Sequence, residues 1–374
     1  MDEKEISVLI VDDSALMRNL IGRIIEEEPG LSVAGKAING NFALQKLSSL
    51  KPDIIVLDLE MPEMNGIEFL QARREKGIDI PVIILSSMAK KGAKITMDAL
   101  SLGASDFILK PSGSISPDIR AVSGQLTEMI KAYGGKYHSQ KESEAVEPKA
   151  ALSPGEPHAD ALKQDKGPGS GRVMEADRKG EPLAIIAIGI STGGPNALRE
   201  IFPRLDRDLP LPILVVQHMP PGFTEEFARS LDRICPLEVS EAKDGDIIRP
   251  GRILIAPGSF HLEVEKRPLA SVVRLSSAEP ENGHRPSVDV LFASVARHYG
   301  GRAMAVIMTG MGRDGAREIG TINSLGGLTL AQDEQSSVVF GMPKAAIAQG
   351  FIQHVVSLDR MAETINRFVR INSP

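Results

Sequence analysis

The sequence predicts an α/β protein with two doubly wound, parallel-sheet domains joined by a flexible linker. Its 374 residues exceed the usual size of one hydrophobic core. Short β-branched runs alternate with helical stretches in the first and last parts of the chain, and a segment rich in Pro, Gly and charge separates them. We therefore expect a first domain over residues 1–134, a linker over residues 135–182 and a second domain over residues 183–374.

The composition argues against nucleic-acid binding and membrane insertion. The chain has 43 Lys and Arg against 49 Asp and Glu, a net charge of -6, and it contains no Trp, so a nucleic-acid partner is not expected. Apolar runs such as LAIIAIGI are shorter than the roughly 20 residues of a membrane span. With no signal-peptide pattern at the start, we expect no membrane insertion and a cytoplasmic location. The single cysteine, Cys235, is expected to be a buried, inert thiol.

The first domain shows five strand-like runs, ISVLIVDD, LSVAGKA, DIIVLDLEMP, PVIILSS and DFILKP, separated by helical stretches. This alternation predicts five parallel strands with intervening helices. Turn and cap residues fall at the right places: Ser14 can cap the first helix, Asn65-Gly66 opens the third and Gly103 closes the fourth.

Chemically matched side chains follow the strands of the first domain. Asp12, Asp13 and Asp58 fall at carboxyl ends of parallel strands, which meet at one edge of the sheet. Three converging carboxylates repel one another unless a hard divalent cation neutralises them, and oxygen-only ligands suit magnesium or manganese. Lys110 and Ser86 end two further strands, where they could hold a phosphoryl group on Asp58. Any one such residue could be a solvated loop residue, but five matched positions predict a site.

The motifs VDDSALMR, LDLEMPEMNG, SS and KP resemble the response-regulator receiver family along its whole length. The resemblance implies a flavodoxin-like domain in which Asp58 accepts phosphate from a histidine kinase. It also implies that Asp12, Asp13 and the backbone of Glu60 hold Mg²⁺ during phosphorylation.

The second domain shows the same alternation. Strand-like runs LAIIAIGIS, PILVVQHM, RILIAP, AMAVIMTG and GLTLAQ are separated by helical stretches that include GFTEEFARSLDRI, SVDVLFASVARHYG and MPKAAIAQG. This predicts a second doubly wound sheet. Between Leu237 and Ser277, the alternating segments HLEVEK and SVVRLS and the turns at Asp244-Gly245 and Pro257-Gly258 predict an antiparallel hairpin.

A candidate nucleophile, Ser191, follows the first strand of this domain on a strand-to-helix turn that also satisfies G-x-S-x-G. That short pattern is weak by itself, because its glycines could equally form a phosphate-binding turn. A dinucleotide site is disfavoured, since the G-x-G-x-x-G spacing is absent.

Two further strand ends supply partners for the serine. Among the histidines near turns, only His218 ends a parallel strand on the same edge, which makes it the preferred general base. Asp314 follows the strand AMAVIMTG and could orient the imidazole, although it could also cap the helix that starts near Gly315. The chain order Ser, His, Asp differs from that of α/β-hydrolases, so we expect a convergent site on another fold.

The segments GISTGGPNAL, VVQHMPPGFTEEFA, HRPSVDVLFASVA, MTGMGRDGA and AQDEQSSVVFGMPKAAI resemble the CheB-type methylesterase catalytic domain, over nearly all of the second domain. The resemblance implies a Rossmann-like fold with Ser191 as nucleophile, His218 as base and later acid, and Asp314 as the orienting carboxylate. The backbone N–H of Met311, with Thr192 nearby, would line the oxyanion site.

The combined resemblances imply hydrolysis of glutamate γ-methyl esters on methyl-accepting chemotaxis receptors, releasing methanol, with deamidation of receptor glutamine as a second activity. A chemotaxis histidine kinase would donate the phosphoryl group, and Mg²⁺ would serve phosphorylation only, with no cofactor for ester hydrolysis. The alternative is a non-catalytic response regulator whose second domain binds a partner protein. We also expect the unphosphorylated first domain to cover the catalytic edge of the second.

Overall fold

The computed structural model describes residues 5–87, 90–110, 118–146 and 181–372. Most of the predicted linker, residues 147–180, lies outside the described residues. None of the described helices is both long and apolar enough to cross a membrane.

The first domain is a five-stranded sheet in the order β2-β1-β3-β4-β5, in which every neighbouring pair is parallel. The predicted doubly wound fold is therefore confirmed. Its strands are β1 (Ile6–Val11), β2 (Leu31–Ala37), β3 (Ile54–Asp58), β4 (Val82–Ser86) and β5 (Asp106–Leu109). Its helices are α1 (Ala15–Glu26), α2 (Gly40–Leu50), α3 (Gly66–Glu75), α4 (Lys90–Ser101) and α5 (Asp118–Val146).

Local sequence signals set the helix starts. The Ser14 hydroxyl accepts a hydrogen bond from the Met17 N–H and caps α1. Asn65 and Glu68 form a reciprocal capping box at the start of α3, which satisfies two backbone donors that the helix itself leaves unpaired. These caps confirm the predicted starts of both helices.

Helix α5 extends beyond the domain end predicted at residue 134 and occupies the first residues that we assigned to the linker. Two lysines of this extension contact other parts of the protein and hold the helix in place. Lys141 pairs with Asp53 at 3.2 Å, and Lys136 donates to the carbonyl of Gln335 in the second domain at 3.1 Å. Composition alone missed this extension, because residues 135–146 are mostly polar or small, and local sequence does not show the tertiary contacts that hold them, which include packing of Tyr137 against the core.

The second domain begins with β6 (Ile185–Ile190), α6 (Gly194–Ile201), β7 (Ile213–Gln217), α7 (Phe223–Asp232), β8 (Glu238–Glu241) and β9 (Arg252–Ile255). It continues with β10 (His261–Lys266), β11 (Ser271–Ser276), α8 (Val288–Tyr299), β12 (Ala303–Ile307), α9 (Glu318–Ser324), β13 (Leu328–Gln332), α10 (Met342–Ala348), β14 (His354–Val356) and α11 (Leu358–Asn372). A seven-stranded sheet has the order β14-β13-β12-β6-β7-β9-β8, with parallel neighbours throughout.

The predicted hairpin is present as β10 and β11, which pair antiparallel from His261 opposite Ser276. It is shorter than the segment in which we expected it. The first part of that segment forms β8, which pairs parallel with β9 at the edge of the main sheet. Burial of Val239 within β8 explains why these residues join the sheet rather than the hairpin.

Strand β6 lies at the switch point of the second sheet, because the chain moves from it to β7 on one side and later to β12 on the other. Alternate residues of β6 enter different cores: Ile186 and Ile188 pack on one face, and Ile185 and Ala187 on the other. Both faces of the sheet are therefore covered, and ligands are expected outside the carboxyl ends of β6, β7 and β12.

Candidate functional site

The predicted acidic residues of the first domain do converge. One carboxylate oxygen from each of Asp12, Asp13 and Asp58 lies within 4.8 Å of the others. The Lys110 ammonium lies 2.7 Å from Asp58 Oδ2 and 3.1 Å from Asp12 Oδ2. The parallel strand ends thus bring four of the predicted site residues together.

Burial raises the pKa of Asp58, and the charge of Asp12 adds to the rise, while Lys110 opposes it. Burial alone would lower the pKa of Lys110, but its hydrogen bonds and charge contacts with Asp58 and Asp12 raise it. Three carboxylates against one ammonium leave excess negative charge, and their oxygens are hard donors. The donor set fits Mg²⁺, which Asp12, Asp13 and Asp58 would hold.

The other two predicted residues lie beside Asp58. The Glu60 N–H donates to Asp58 Oδ1 at 3.2 Å, and Ser86 lines the same small pocket. The Ser86 hydroxyl is buried and lies 2.7 Å from the hydroxyl of Thr96, a residue for which we found no sequence signal. Their roles in metal and phosphoryl binding stay predictions.

In the second domain, Ser191 follows β6 directly. Its N–H donates to the Thr309 carbonyl at 2.9 Å, which fixes the turn against the loop after β12. A Cβ placed on Gly310 would lie 2.7 Å from the Ser191 Cβ, closer than side chains tolerate. Glycine at position 310 is therefore required for this approach.

His218 lies between the other two predicted residues of the triad. Its Nδ1 is 3.2 Å from Ser191 Oγ, and its Nε2 is 2.8 Å from Asp314 Oδ2. Because an ionised carboxylate only accepts hydrogen bonds, Nε2 carries the proton and Nδ1 is free to accept from the serine. This arrangement can activate a hydroxyl for attack on a carbonyl carbon.

Asp314 is buried at the amino-terminal end of α8. Its Oδ1 accepts from Ser287 Oγ at 2.7 Å, from the Asp289 N–H at 3.1 Å and from Asn282 Nδ2 at 2.9 Å. Its Oδ2 accepts from the Val288 N–H at 2.7 Å. The alternative that Asp314 caps the helix following it is wrong, since α9 begins at Glu318 and the carboxylate faces α8 instead.

These contacts set the charge of the Asp314 carboxylate. Burial by itself raises its pKa, but the hydrogen bond and charge of His218, with the donors at Val288 and Ser287, outweigh burial and bring the pKa well below its usual range. Asp314 is therefore ionised at neutral pH. An ionised Asp314 would stabilise a His218 imidazolium if the serine passed its proton to His218.

Several neighbours of the triad were not predicted. Gln217, buried next to His218, donates from Nε2 to the carbonyls of Ser191 at 3.0 Å and His218 at 3.2 Å. His284 and Ser287 lie in the segment HRPSVDVLFASVA, to which no site role was assigned, and Asn282 lies just before that segment. These contacts join loops far apart in sequence, so periodicity carries no signal for them.

A cavity of about 610 Å³ opens onto the triad at the boundary between the two domains. Ser191, Thr192, His218 and Met311 line it on the catalytic side. The predicted oxyanion residues, Thr192 and Met311, thus lie at the same cavity as the serine, and their donor roles stay predictions. The first domain contributes several lining residues, among them Asp106, Phe107, Val122, Gln125, Glu128 and Met129.

The first domain also contacts the turn that carries Ser191. Asp106 Oδ2 accepts a hydrogen bond from the Gly193 N–H at 2.8 Å and from the Tyr133 hydroxyl at 3.2 Å. Burial raises the pKa of Asp106 to about 6, against the opposing effect of these donors. Nearby, the rings of Phe107 and Phe223 stack with centroids 5.0 Å apart.

Cys235 lies apart from these sites and is half-buried. Burial raises the pKa of its thiol to about 11, so the thiol is protonated and a poor nucleophile at neutral pH.

The first domain resembles a phosphoacceptor, and the second carries a Ser-His-Asp arrangement. This combination defines a class of protein: a response regulator whose second domain is a hydrolase. The sequence matches the family profile described as CheB methylesterase over residues 186–365 and the Response regulator receiver domain profile over residues 8–116. The chain belongs to the CheB methylesterase family.

Relatives match almost the whole chain. A protein-glutamate methylesterase/protein-glutamine glutaminase of Treponema denticola is 56% identical, with 98% of each chain covered. Its namesake in Treponema pallidum is 51% identical with the same coverage. The crystal structure of the Thermotoga maritima CheB methylesterase catalytic domain is 41% identical, with a TM-score of 0.49, and the match covers 50% of this chain and 99% of that one.

Proposed function

We propose that this protein hydrolyses glutamate γ-methyl esters on methyl-accepting chemotaxis receptors, with Ser191 as nucleophile, His218 as base and Asp314 as the orienting carboxylate. The single observation that carries the proposal is the continuous hydrogen-bonded line from Ser191 through His218 to Asp314. The names of the two Treponema relatives supply the substrate class. A cytoplasmic site of action belongs to the same proposal.

The reaction runs in two halves. The Ser191 oxygen attacks the ester carbonyl carbon as its proton passes to His218 Nδ1, and the C–O bond to the methoxy group then breaks. The methoxy oxygen takes the proton from His218 and leaves as methanol. Water, deprotonated by His218, attacks the acyl-serine and restores Ser191 with a free glutamate carboxylate on the receptor.

Two groups would stabilise the negative oxygen formed during each attack. Met311, through its backbone N–H, and Thr192 are the proposed donors, and both residues line the cavity beside Ser191. Donors fixed before the reaction stabilise a developing oxyanion without reorganisation. The same steps on a glutamine side chain would release ammonia, which extends the proposal to the glutaminase activity in the relatives' names.

Methanol release tests the proposal directly. The purified chain is incubated with membranes carrying methylated receptors, and methanol and the receptor mass are measured over time. We expect one methanol for each methyl ester lost. A folded, phosphorylated chain that binds the receptors without changing their mass would instead support the non-catalytic binding module.

The first domain would control this reaction. We propose that Asp58 accepts a phosphoryl group from a chemotaxis histidine kinase, with Lys110 and Ser86 contacting the phosphoryl oxygens. Mg²⁺, held by Asp12, Asp13, Asp58 and the Glu60 backbone, supplies the positive charge that admits the phosphodonor. The close approach of the three carboxylates supports a cation at this position.

Phosphorylation should depend on the divalent ion. With a small acyl phosphate and Mg²⁺, we expect incorporation of phosphate at Asp58, and only background incorporation in excess chelator, because the carboxylates then repel the donor. Phosphorylation is measured by phosphate-affinity electrophoresis. Asp58→Ala should remove the signal, whereas the exposed control Asp79→Ala should keep it. Equal phosphorylation in chelator would contradict the metal site.

Release of the first domain should increase esterase activity. The first domain lines the catalytic cavity, and its Asp106 accepts a hydrogen bond from Gly193 in the turn that carries Ser191. These contacts support a model in which the unphosphorylated first domain covers the catalytic site and keeps the receptor out; this domain is called the cover below. A chain that begins at Glu181 should therefore release methanol faster than the unphosphorylated full-length protein. Asp106→Ala should raise full-length activity about tenfold or more, because a hydrogen bond to a charged group contributes about 1.5–3 kcal/mol.

Acid should strengthen the cover. Burial raises the pKa of Asp106 to about 6 in the docked state. Separation of the domains would expose this carboxyl to water and return its pKa towards the usual range, so docking would take up a proton and become more favourable as the pH falls from 7 towards 5. The ratio of full-length to truncated activity should therefore fall on acidification. Asp98→Ala, an exposed control on α4, should behave as wild type. A well-folded truncated chain that is no faster than the full-length protein would contradict the cover.

A further inference from the structure

A second histidine packs against the ring of His218. The imidazole of His284 stacks on that of His218, with ring centroids 3.8 Å apart and an angle of 12° between the ring planes. The contact covers one face of the ring whose edge nitrogens face Ser191 and Asp314. Rotation of His218 away from that line would break the stack.

The backbone holds His284 firmly in place. Glu281 and His284 exchange two backbone hydrogen bonds, of 3.1 and 2.9 Å, around a turn in which Asn282 and Gly283 have positive φ. Asn282 in the same turn donates to Asp314 Oδ1. One short segment therefore sets the position of the stacked ring and of the carboxylate together.

The stacked ring is neutral at physiological pH. Burial and the charge of His218 together lower the pKa of His284 to about 4, against the opposing effect of Asp314. The face of a neutral aromatic ring attracts a cation, whereas a second imidazolium would repel one. Other charged groups at the cavity are Arg285 beside His284, and Glu128 and Asp106 across it.

We propose that His284 is a positioning residue: its ring face holds the His218 imidazole in the line from Ser191 to Asp314 and stabilises the imidazolium formed during attack. His284 acts through His218 and does not exchange protons with the substrate. The inference rests on the proposed function, because it takes His218 as the base that activates Ser191.

Two substitutions of similar size separate the aromatic face from simple packing. His284→Phe keeps a flat ring against His218, and His284→Leu fills the space without one. In the full-length chain, we expect His284→Leu to lower kcat and the rate of Ser191 labelling by a fluorophosphonate about tenfold, with little change in KM. His284→Phe should stay within about threefold of wild type in both measurements.

Thermal melting shows which variants are folded at the assay temperature, and His284→Met replaces the leucine variant if that one is not. Leucine and phenylalanine variants that both match wild type would overturn the proposal, as would equal losses in both. Labelling needs no receptor ester. A wild-type chain that labels at Ser191 without releasing methanol would therefore contradict the proposed substrate and leave the His284 test valid.

Discussion

Ser191→Ala should lower methanol release from methylated receptors by about 10⁴-fold or more, because members of a catalytic triad act as a unit. The alanine variant has no oxygen at the end of β6 to attack the ester. Thr192 is the next residue along the turn, but it is 8% exposed, and the described contacts to His218 Nδ1 come from Ser191. The variant should fold normally, since the hydroxyl of Ser191 caps no helix.

The control is a serine-to-alanine change outside the site. Ser324 is exposed at the end of α9, where its hydroxyl donates to the Thr321 carbonyl. Ser324→Ala should leave methanol release unchanged. Near-wild-type turnover by a folded Ser191→Ala protein would remove Ser191 from the nucleophile role, and with it the line of proton transfer through His218.

Asp314→Asn should lower kcat by about 10⁴-fold, the size of loss expected when the base is held in the wrong tautomer. Both oxygens of Asp314 accept hydrogen bonds, Oδ2 from His218 and Val288, and Oδ1 from Ser287 and others. An amide has only one acceptor oxygen, so its NH₂ must face donors at one of the two positions.

The same change should lower stability in a pH-dependent way. Because the folded-state pKa of Asp314 lies below its usual range, its stabilising contribution is complete above the unfolded pKa and is lost as the pH falls through the folded one. The difference in Tm between wild type and Asp314→Asn should therefore be largest near neutral pH and shrink in acid. A difference that grows on acidification would contradict an ionised, hydrogen-bonded Asp314.

The sequence predicted the parts of the site that lie at ends of parallel strands. Asp58 is the last residue of a buried strand, and parallel topology brings such strand ends to one edge of the sheet. Asp12, Ser191 and His218 each follow a buried strand directly. Asp314, after β12, was found for the same reason. The pattern of buried strands therefore carries most of the information about which residues meet.

The contacts between loops could not be predicted in this way. The donors that hold Asp314 come from the start of α8, and His284 reaches His218 from a tight turn. No periodicity or motif spacing in a single sequence indicates that these loops lie close together. Contacts between the domains could not be predicted either: the Gly193 N–H donates to the Asp106 carboxylate, and the two residues are 87 positions apart in the sequence.

The extent of α5 was missed for a related reason. Its last turns carry charged and small residues, which composition assigns to a linker. Lysine side chains hold it through Asp53 and through carbonyls of the second domain. Such contacts depend on where the two domains lie, which local sequence does not determine.

The most direct test locates the nucleophile chemically. The full-length chain, treated with a small phosphodonor and Mg²⁺, is reacted with a fluorophosphonate, digested and analysed by mass spectrometry. We expect one adduct, on Ser191, which forms faster after phosphorylation and is lost in His218→Ala. An adduct on another residue, or none in a folded and phosphorylated sample, would contradict a serine esterase controlled by the first domain.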